Sequence, residues 1–306
     1  CYSMPDLTPS LIGQQPVIAA LTKAATGKTA YGHAYLISGA DTTAVAALAA
    51  WFRNYLVCTA PAGSTACGVC AGCTSCVNAD GVWTYSLEST PDEVAHSVER
   101  IRSIRQFVAL RPVAQGRRVV LVDRADTLRG AAANALLKNI EEPAEGIIYI
   151  LTAQHLGAIL ATIRSRTMSV TVQPVPQAVL RQALITNGYT QSAAAFASQL
   201  FPNQAGRAVQ LLEDRPRYDE LHTVEHMLAH WATLASAQRL AAAATIVEGR
   251  TDMAAQRLRV QDALALIARQ PARRPGVLRA LLQACLALRT NAQPKLIFDA
   301  FALQTL

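Results

Sequence analysis

SGADTTAVA, residues 38–46, is the stretch on which the reading of this chain turns. The apolar HAYLI (33–37) before it predicts a short buried strand, and the alanine-rich AALAAWFRNYL (46–56) after it predicts a helix. Strand, turn and helix stand in the order of a phosphate-binding loop. A working loop reads G-x-x-x-x-G-K-[ST]: its glycines let backbone N–H groups wrap the phosphates, its lysine neutralises them, and its hydroxyl holds magnesium. Counted from Gly39, the second glycine is Ala44, the lysine is Val45 and the hydroxyl is Ala46. The place of a nucleotide site is kept and its chemistry is gone, so no ATP hydrolysis is expected. TGKT (26–29) is a decoy, because it precedes the strand and position 22 is Thr.

A second stretch agrees. The apolar RVVLVD (118–123) predicts a buried strand ending in Asp123, where an aspartate would help to hold magnesium. The next position, where a glutamate would polarise the attacking water, is Arg124. Without that base even a bound nucleotide lacks an activated attacker, and Asp123 reads better as the cap of a strand.

Around these two turns, strand-like and helix-like segments alternate over the first 170 residues. VWTYSL (82–87), GIIYILTA (146–153) and MSVTVQP (168–174) predict further strands. IGQQPVIAALTKAAT (12–26), residues 91–112 and LRGAAANALLKNIEEP (128–143) predict helices, the last stopped by Pro143. Apolar strands alternating with helices predict a parallel α/β sheet covered on both faces. After Pro174 and Pro176 the strands stop and the chain reads as helical to its end.

Five of the seven cysteines fall between 58 and 76, as Cys58, Cys67, Cys70, Cys73 and Cys76. The spacing C-x8-C-x2-C-x2-C can close a tetrahedral four-thiolate zinc site, because two-residue gaps let neighbouring sulfurs converge on one ion. The expected ligands are Cys58, Cys67, Cys70 and Cys73, with Cys76 a possible substitute for one of them. Gly68 and Gly72 are expected to supply tight turns. Four thiolates leave no open position, so the zinc is expected to be structural.

Composition bounds the rest. With 51% hydrophobic and 16% charged residues, a disordered chain is excluded. No apolar run reaches the ~20 residues of a membrane span, and no signal-peptide layout is seen, so a cytoplasmic location and no membrane contact are expected. The net charge of +7 permits nucleic-acid contact without requiring it. Aromatic residues are only 6%, which argues against a stacking platform for single strands.

With these residues in view the chain resembles the clamp-loader branch of the AAA+ family. The resemblance is carried by GHAYLISG (32–39), the cysteine ladder inserted after the first helix, ANALLKNIEEP (133–143) and IRSRT (163–167). It implies an AAA+ domain over 1–172, with a zinc module at 58–76 and a degenerate loop at 39–46. A helical lid domain over 173–213 and a helical collar domain over 214–306 would follow. The family contains ATP-hydrolysing motor subunits (gamma/tau) and a stator that has lost hydrolysis; Ala44, Val45, Ala46 and Arg124 imply the stator.

The family's Ser-Arg-Cys motif reaches the ATP of a neighbouring subunit. Here it reads Ser165-Arg166-Thr167, which implies Arg166 as an arginine finger acting in trans. The lid arginine of motor subunits falls on Gly206, with Arg207 one place off, and the family's HPD stretch is replaced by GVW (81–83). The implied partners are gamma/tau and delta subunits in a heteropentameric ring, with the sliding clamp and primer–template DNA. Arg100, Arg102 and Arg105, on or near one face of the 91–112 helix, are weak candidates for contact with the DNA backbone. Two other readings remain open: an active gamma/tau-like ATPase, and a zinc-dependent nucleic-acid-binding protein outside any ring.

Overall fold

A computed structural model describes residues 9–26, 32–78, 82–87, 97–109, 117–228, 234–247, 253–268, 275–288 and 292–304. Five strands, β1 (Ala34–Ser38), β2 (Thr84–Leu87), β3 (Arg118–Val122), β4 (Ile147–Ala153) and β5 (Met168–Thr171), form one sheet in the order β2-β3-β4-β1-β5. Every pairing is parallel. The register sets Ala34 against Tyr149, Ser38 against Ala153 and Tyr35 against Met168. β1, β3 and β4 are buried along their whole length, which is why they read as unbroken apolar runs rather than as alternation. β5 is an edge strand with a largely exposed pattern, matching its mixed Met-Ser-Val-Thr sequence.

Six helices belong to the sheet region: α1 (Gln15–Thr26), α2 (Thr42–Val57), α3 (Ala71–Asn78), α4 (Val98–Ala109), α5 (Gly130–Glu141) and α6 (Ala161–Arg164). They cover both faces. On one, Leu48 and Phe52 of α2 and Leu21 of α1 pack with Tyr35, Ile37 and Ile150; the Tyr35 and Phe52 rings meet edge to face at 4.9 Å. On the other, Ile101 and Ile104 of α4 and Leu136 and Ile140 of α5 pack with Leu36, Val120 and Tyr149. Each such side chain contributes about 1.5–3 kcal/mol on leaving water. α4 is the described part of the predicted 91–112 helix; residues 91–96 and 110–112 lie outside the described residues, as do 27–29 of the TGKT decoy.

Arg118, buried at the start of β3, donates to the carbonyls of Phe107 at 2.9 Å and Val108 at 3.1 Å. It thereby satisfies acceptors that the last turn of α4 leaves open, and its burial pushes its pKa down. Beyond β5, Gln14 and Gln173 exchange two hydrogen bonds of 2.8 and 2.9 Å between side chain and backbone. Three helices then follow, α7 (Gln177–Thr186), α8 (Gln191–Leu200) and α9 (Ala205–Glu213).

The chain divides into two compact units, Cys1–Gln210 and Leu211–Leu306. Among the described residues the second unit holds α10 (Arg215–Leu228), α11 (Ser236–Val247), α12 (Met253–Ala268), α13 (Pro275–Ala287) and α14 (Pro294–Gln304). Its buried residues include Val260, Leu264 and Ile267 of α12 and Phe298 and Phe301 of α14. Asp262, also buried, is paired with Arg217 of α10 at 2.6 Å, so this interior charge is not left uncompensated. Arg259 and Glu220 form a second ion pair between the same two helices.

Candidate functional site

The turn after β1 leads straight into α2. Gly39 is there for space: a Cβ on it would lie 3.0 Å from Val172 Cβ and 3.4 Å from Val45 Cγ2. Asp41 caps α2, its Oδ1 accepting the Ala44 N–H at 3.1 Å. Its Oδ2 accepts the Gly206 N–H, at the start of α9, at 2.6 Å. Burial acts most strongly on this carboxyl and raises its pKa above the usual aspartate value, against the lowering effects of those two amides and the Arg207 guanidinium. Ala44 and Val45, at the glycine and lysine positions, are core residues with 1% and 4% of their surface exposed. Ala46 is exposed and offers only a methyl. Neither the cap nor Gly206 as its second donor figured in the reading of the sequence, and nothing local marks Gly206.

At the end of β3, Asp123 Oδ1 accepts a 2.6 Å hydrogen bond from the Thr152 hydroxyl, which in turn accepts the Arg124 N–H at 2.9 Å. Arg124 adopts the left-handed conformation, with φ 48° and ψ 47°, and its side chain is exposed. Thr152 fixes this turn from the neighbouring strand, a role the sequence did not signal. Two residues on, the buried Asp126 accepts the amides of Gln154 at 3.2 Å and His155 at 3.0 Å, joining the ends of β3 and β4.

Arg166 lies in the turn after α6, exposed. Its Nη2 stands 2.9 Å from Glu141 Oε1, and its Nη1 donates to the Thr162 carbonyl at 3.2 Å and the Ser165 hydroxyl at 3.4 Å. Glu141 is the first acid of the EEP stretch, so two separately quoted motifs meet here. On α4, Arg102 and Arg105 are exposed and Arg100 is half-buried.

The insertion brings together Cys58, Cys67, Cys70 and Cys73, whose Sγ atoms all lie within 4.8 Å of one another. Cys58 follows the last turn of α2 and Cys73 lies in α3. The amides of Cys67, Cys70 and Thr59 donate to Cys58 Sγ at 3.2 Å, Cys67 Sγ at 3.4 Å and Cys70 Sγ at 3.5 Å. Burial acts to raise the Cys70 thiol, but amides that include those of Thr59 and Cys73 outweigh it and bring the value down to about 6; burial pushes Cys73 up. Cys76 packs instead against the α2 side of the core.

Gly68 has a positive φ of 76°, a conformation that favours glycine, in the turn between Cys67 and Cys70. Gly72 is not a turn residue, contrary to expectation. It lies in α3, where a Cβ would come within 2.1 Å of the Val57 carbonyl oxygen. Trp51 and Tyr55 of α2 hold the insertion from beneath, donating to the carbonyls of Ser64 at 2.9 Å and Gly63 at 3.3 Å.

The fold is a five-stranded parallel α/β sheet in the order β2-β3-β4-β1-β5, with helices on both faces and a turn in the phosphate-loop position after its first strand. A solved gamma-subunit-related protein of DNA polymerase III from Thermotoga maritima shares it, with a TM-score of 0.53 at 17% identity, over 95% of this chain and 99% of that one. The family described as DNA polymerase III, delta subunit, matches residues 13–176, more than half of the chain. The chain belongs to this family.

It is 34% identical over 140 residues to the delta-prime subunit of Pseudomonas aeruginosa, covering 46% of this chain and 43% of that one. It is 32% identical over 145 residues to that of Escherichia coli, covering 47% and 43%. The gamma/tau subunit of Mycobacterium tuberculosis is 33% identical over 177 residues, covering 57% of this chain and 30% of that one. The matched stretches thus span less than half the length of these curated relatives.

Proposed function

We propose that this chain is the non-hydrolysing stator of a bacterial replicative clamp loader. It would give Arg166 to the ATP bound by a neighbouring motor subunit, so that the sliding clamp is loaded on primed DNA. The observation that carries the reading is the state of the phosphate loop. The lysine position is a core valine, the glycine position is a core alanine, and the helix N-terminus is held by the carboxylate of Asp41. Arg124 stands where a water-polarising acid would be needed. Arg166 is exposed on a short turn, and a guanidinium supplied in trans to a developing phosphoryl charge is worth about 10³–10⁵ in rate.

The four-cysteine cluster fits a structural zinc ion. Zn–S bonds of ~2.3 Å in a tetrahedron set sulfurs about 3.8 Å apart, and the Cys67–Cys73 and Cys58–Cys70 sulfurs lie 4.0 Å apart. Cys58, Cys67, Cys70 and Cys73 would hold it, with the insertion's amides stabilising the thiolates. Their full set leaves the ion no substrate position, and Cys76 is not needed as a ligand.

Residues 173–213, with helices α7–α9, would serve as the lid, and residues 214–306 as the collar. Leu282 and Leu286 of α13 and Leu296 and Leu303 of α14 leave apolar surface exposed, of the kind that packing in a ring would cover. Gamma/tau and delta subunits would be the protein partners, with the clamp and primer–template DNA met as a complex in the cytoplasm. Among the described residues no helix is long and apolar enough to cross a membrane.

The similarity to gamma/tau subunits supports a second reading, an active motor. The two readings separate in one experiment: ATP hydrolysis by the purified chain, alone and assembled with gamma/tau and delta subunits. The stator reading expects background hydrolysis alone and stimulated hydrolysis in the assembly. Turnover by the chain alone that tracks its concentration would overturn it.

A further inference from the structure

The emptied phosphate turn is closed from within. Asp41 is 5% exposed, and its two oxygens accept N–H groups from two helices, the farther donor lying 165 positions from Asp41. One is Ala44 in the first turn of α2; the other is Gly206 in the first turn of α9. A capping aspartate on its own helix is commonplace; the second bond, to another helix, is not part of a cap. Helix N-termini present orphan N–H groups and the positive end of the helix dipole, and so favour an anion. Here one carboxylate serves two of them at once.

The surrounding space is closed to the same degree. A Cβ at position 206 would lie 2.5 Å from the Ala44 nitrogen and 3.0 Å from Asp41 Oδ1. That leaves no room for a methyl group between α9 and α2, and none for a phosphate. One turn further along, the Thr43 hydroxyl donates to Gln210 Oε1 at 3.1 Å. Ala205 and Ala208 of α9 are buried.

We propose that Asp41 is the resident anion of the emptied site: its carboxylate stands in for a phosphate at the α2 N-terminus and latches α9, with the 177–210 helices, in one position whether or not nucleotide is present. The proposal goes beyond the stator reading and is independent of Arg166. It accounts for glycine at 206, because any side chain there would prise the latch apart.

The test is hydrogen exchange of the full chain, read by mass spectrometry for the start of α2, the start of α9 and β4. Wild type is compared with Asp41→Ser and Gly206→Ala, with and without millimolar Mg–ATP. Serine still caps α2 but is too short to reach Gly206, so exchange at α9 should rise at least about tenfold while α2 stays protected. Protection of β4 reports that the sheet is intact. Gly206→Ala should speed exchange at both helix starts, and Mg–ATP should leave wild type unchanged. Should α9 stay as protected in Asp41→Ser as in wild type, the carboxylate is not a latch. A nucleotide-dependent change at α9 in wild type would equally overturn the proposal.

Discussion

The Arg166 guanidinium rests 2.9 Å from the Glu141 carboxylate, both at the surface, Glu141 at the end of α5 before β4 and Arg166 in the turn after α6 that follows β4. Exposed ion pairs of this kind contribute about 0–1 kcal/mol to stability. Glu141→Gln and Arg166→Ala should therefore each move the chain's unfolding free energy by less than about 1 kcal/mol, read from urea midpoints. A larger loss in Arg166→Ala would mark Arg166 as a structural residue.

Metal content should separate the cysteines. Cys73→Ser removes a buried member of the cluster and should bring bound zinc, measured by elemental analysis of the purified chain, to background. Cys76→Ser should keep the wild-type zinc content, because Cys76 packs against the core outside the four-sulfur group. Loss of zinc in Cys76→Ser with retention in Cys73→Ser would reassign the ligands.

Thr152 bridges two strand ends through one hydroxyl. Thr152→Val keeps the shape but removes both hydrogen bonds of the hydroxyl, the one it donates to Asp123 and the one it accepts from the Arg124 N–H. The expected cost is about 1–3 kcal/mol in denaturant unfolding. No loss would mean that water replaces the hydroxyl at this turn.

Gly72 lets α3 approach the end of α2 more closely than any other residue could. Gly72→Ala should destabilise the chain by about 1–3 kcal/mol through overpacking, and its zinc should be released at lower chelator concentration. A chelator titration unchanged from wild type would show that α3 has room to shift.

Much of this was legible because it is local. Strands buried on both faces must be continuous apolar runs, so HAYLI, RVVLV and IIYILTA declared both their existence and their parallel pairing. The cysteine gaps declared the cluster, because x2 spacing fixes geometry within a few residues. The order β2-β3-β4-β1-β5 was not legible, since strand pairing is decided by packing between distant segments. For the same reason the partners of Asp41, Asp123 and Arg166 were hidden: Gly206, Thr152 and Glu141 lie 165, 29 and 25 positions away. Gly72 was misread as a turn residue because a glycine that permits a turn and one that permits a close approach look alike in a sequence.

The most direct measurement is ATP hydrolysis by a complete clamp loader containing this chain, with clamp and primed DNA, comparing wild type with Arg166→Ala after both are shown to assemble. The stator account predicts a fall of about 10³-fold at the site facing this chain, seen as a large drop in total turnover and clamp loading with assembly intact. Unchanged hydrolysis and loading by the assembled Arg166→Ala complex would contradict it.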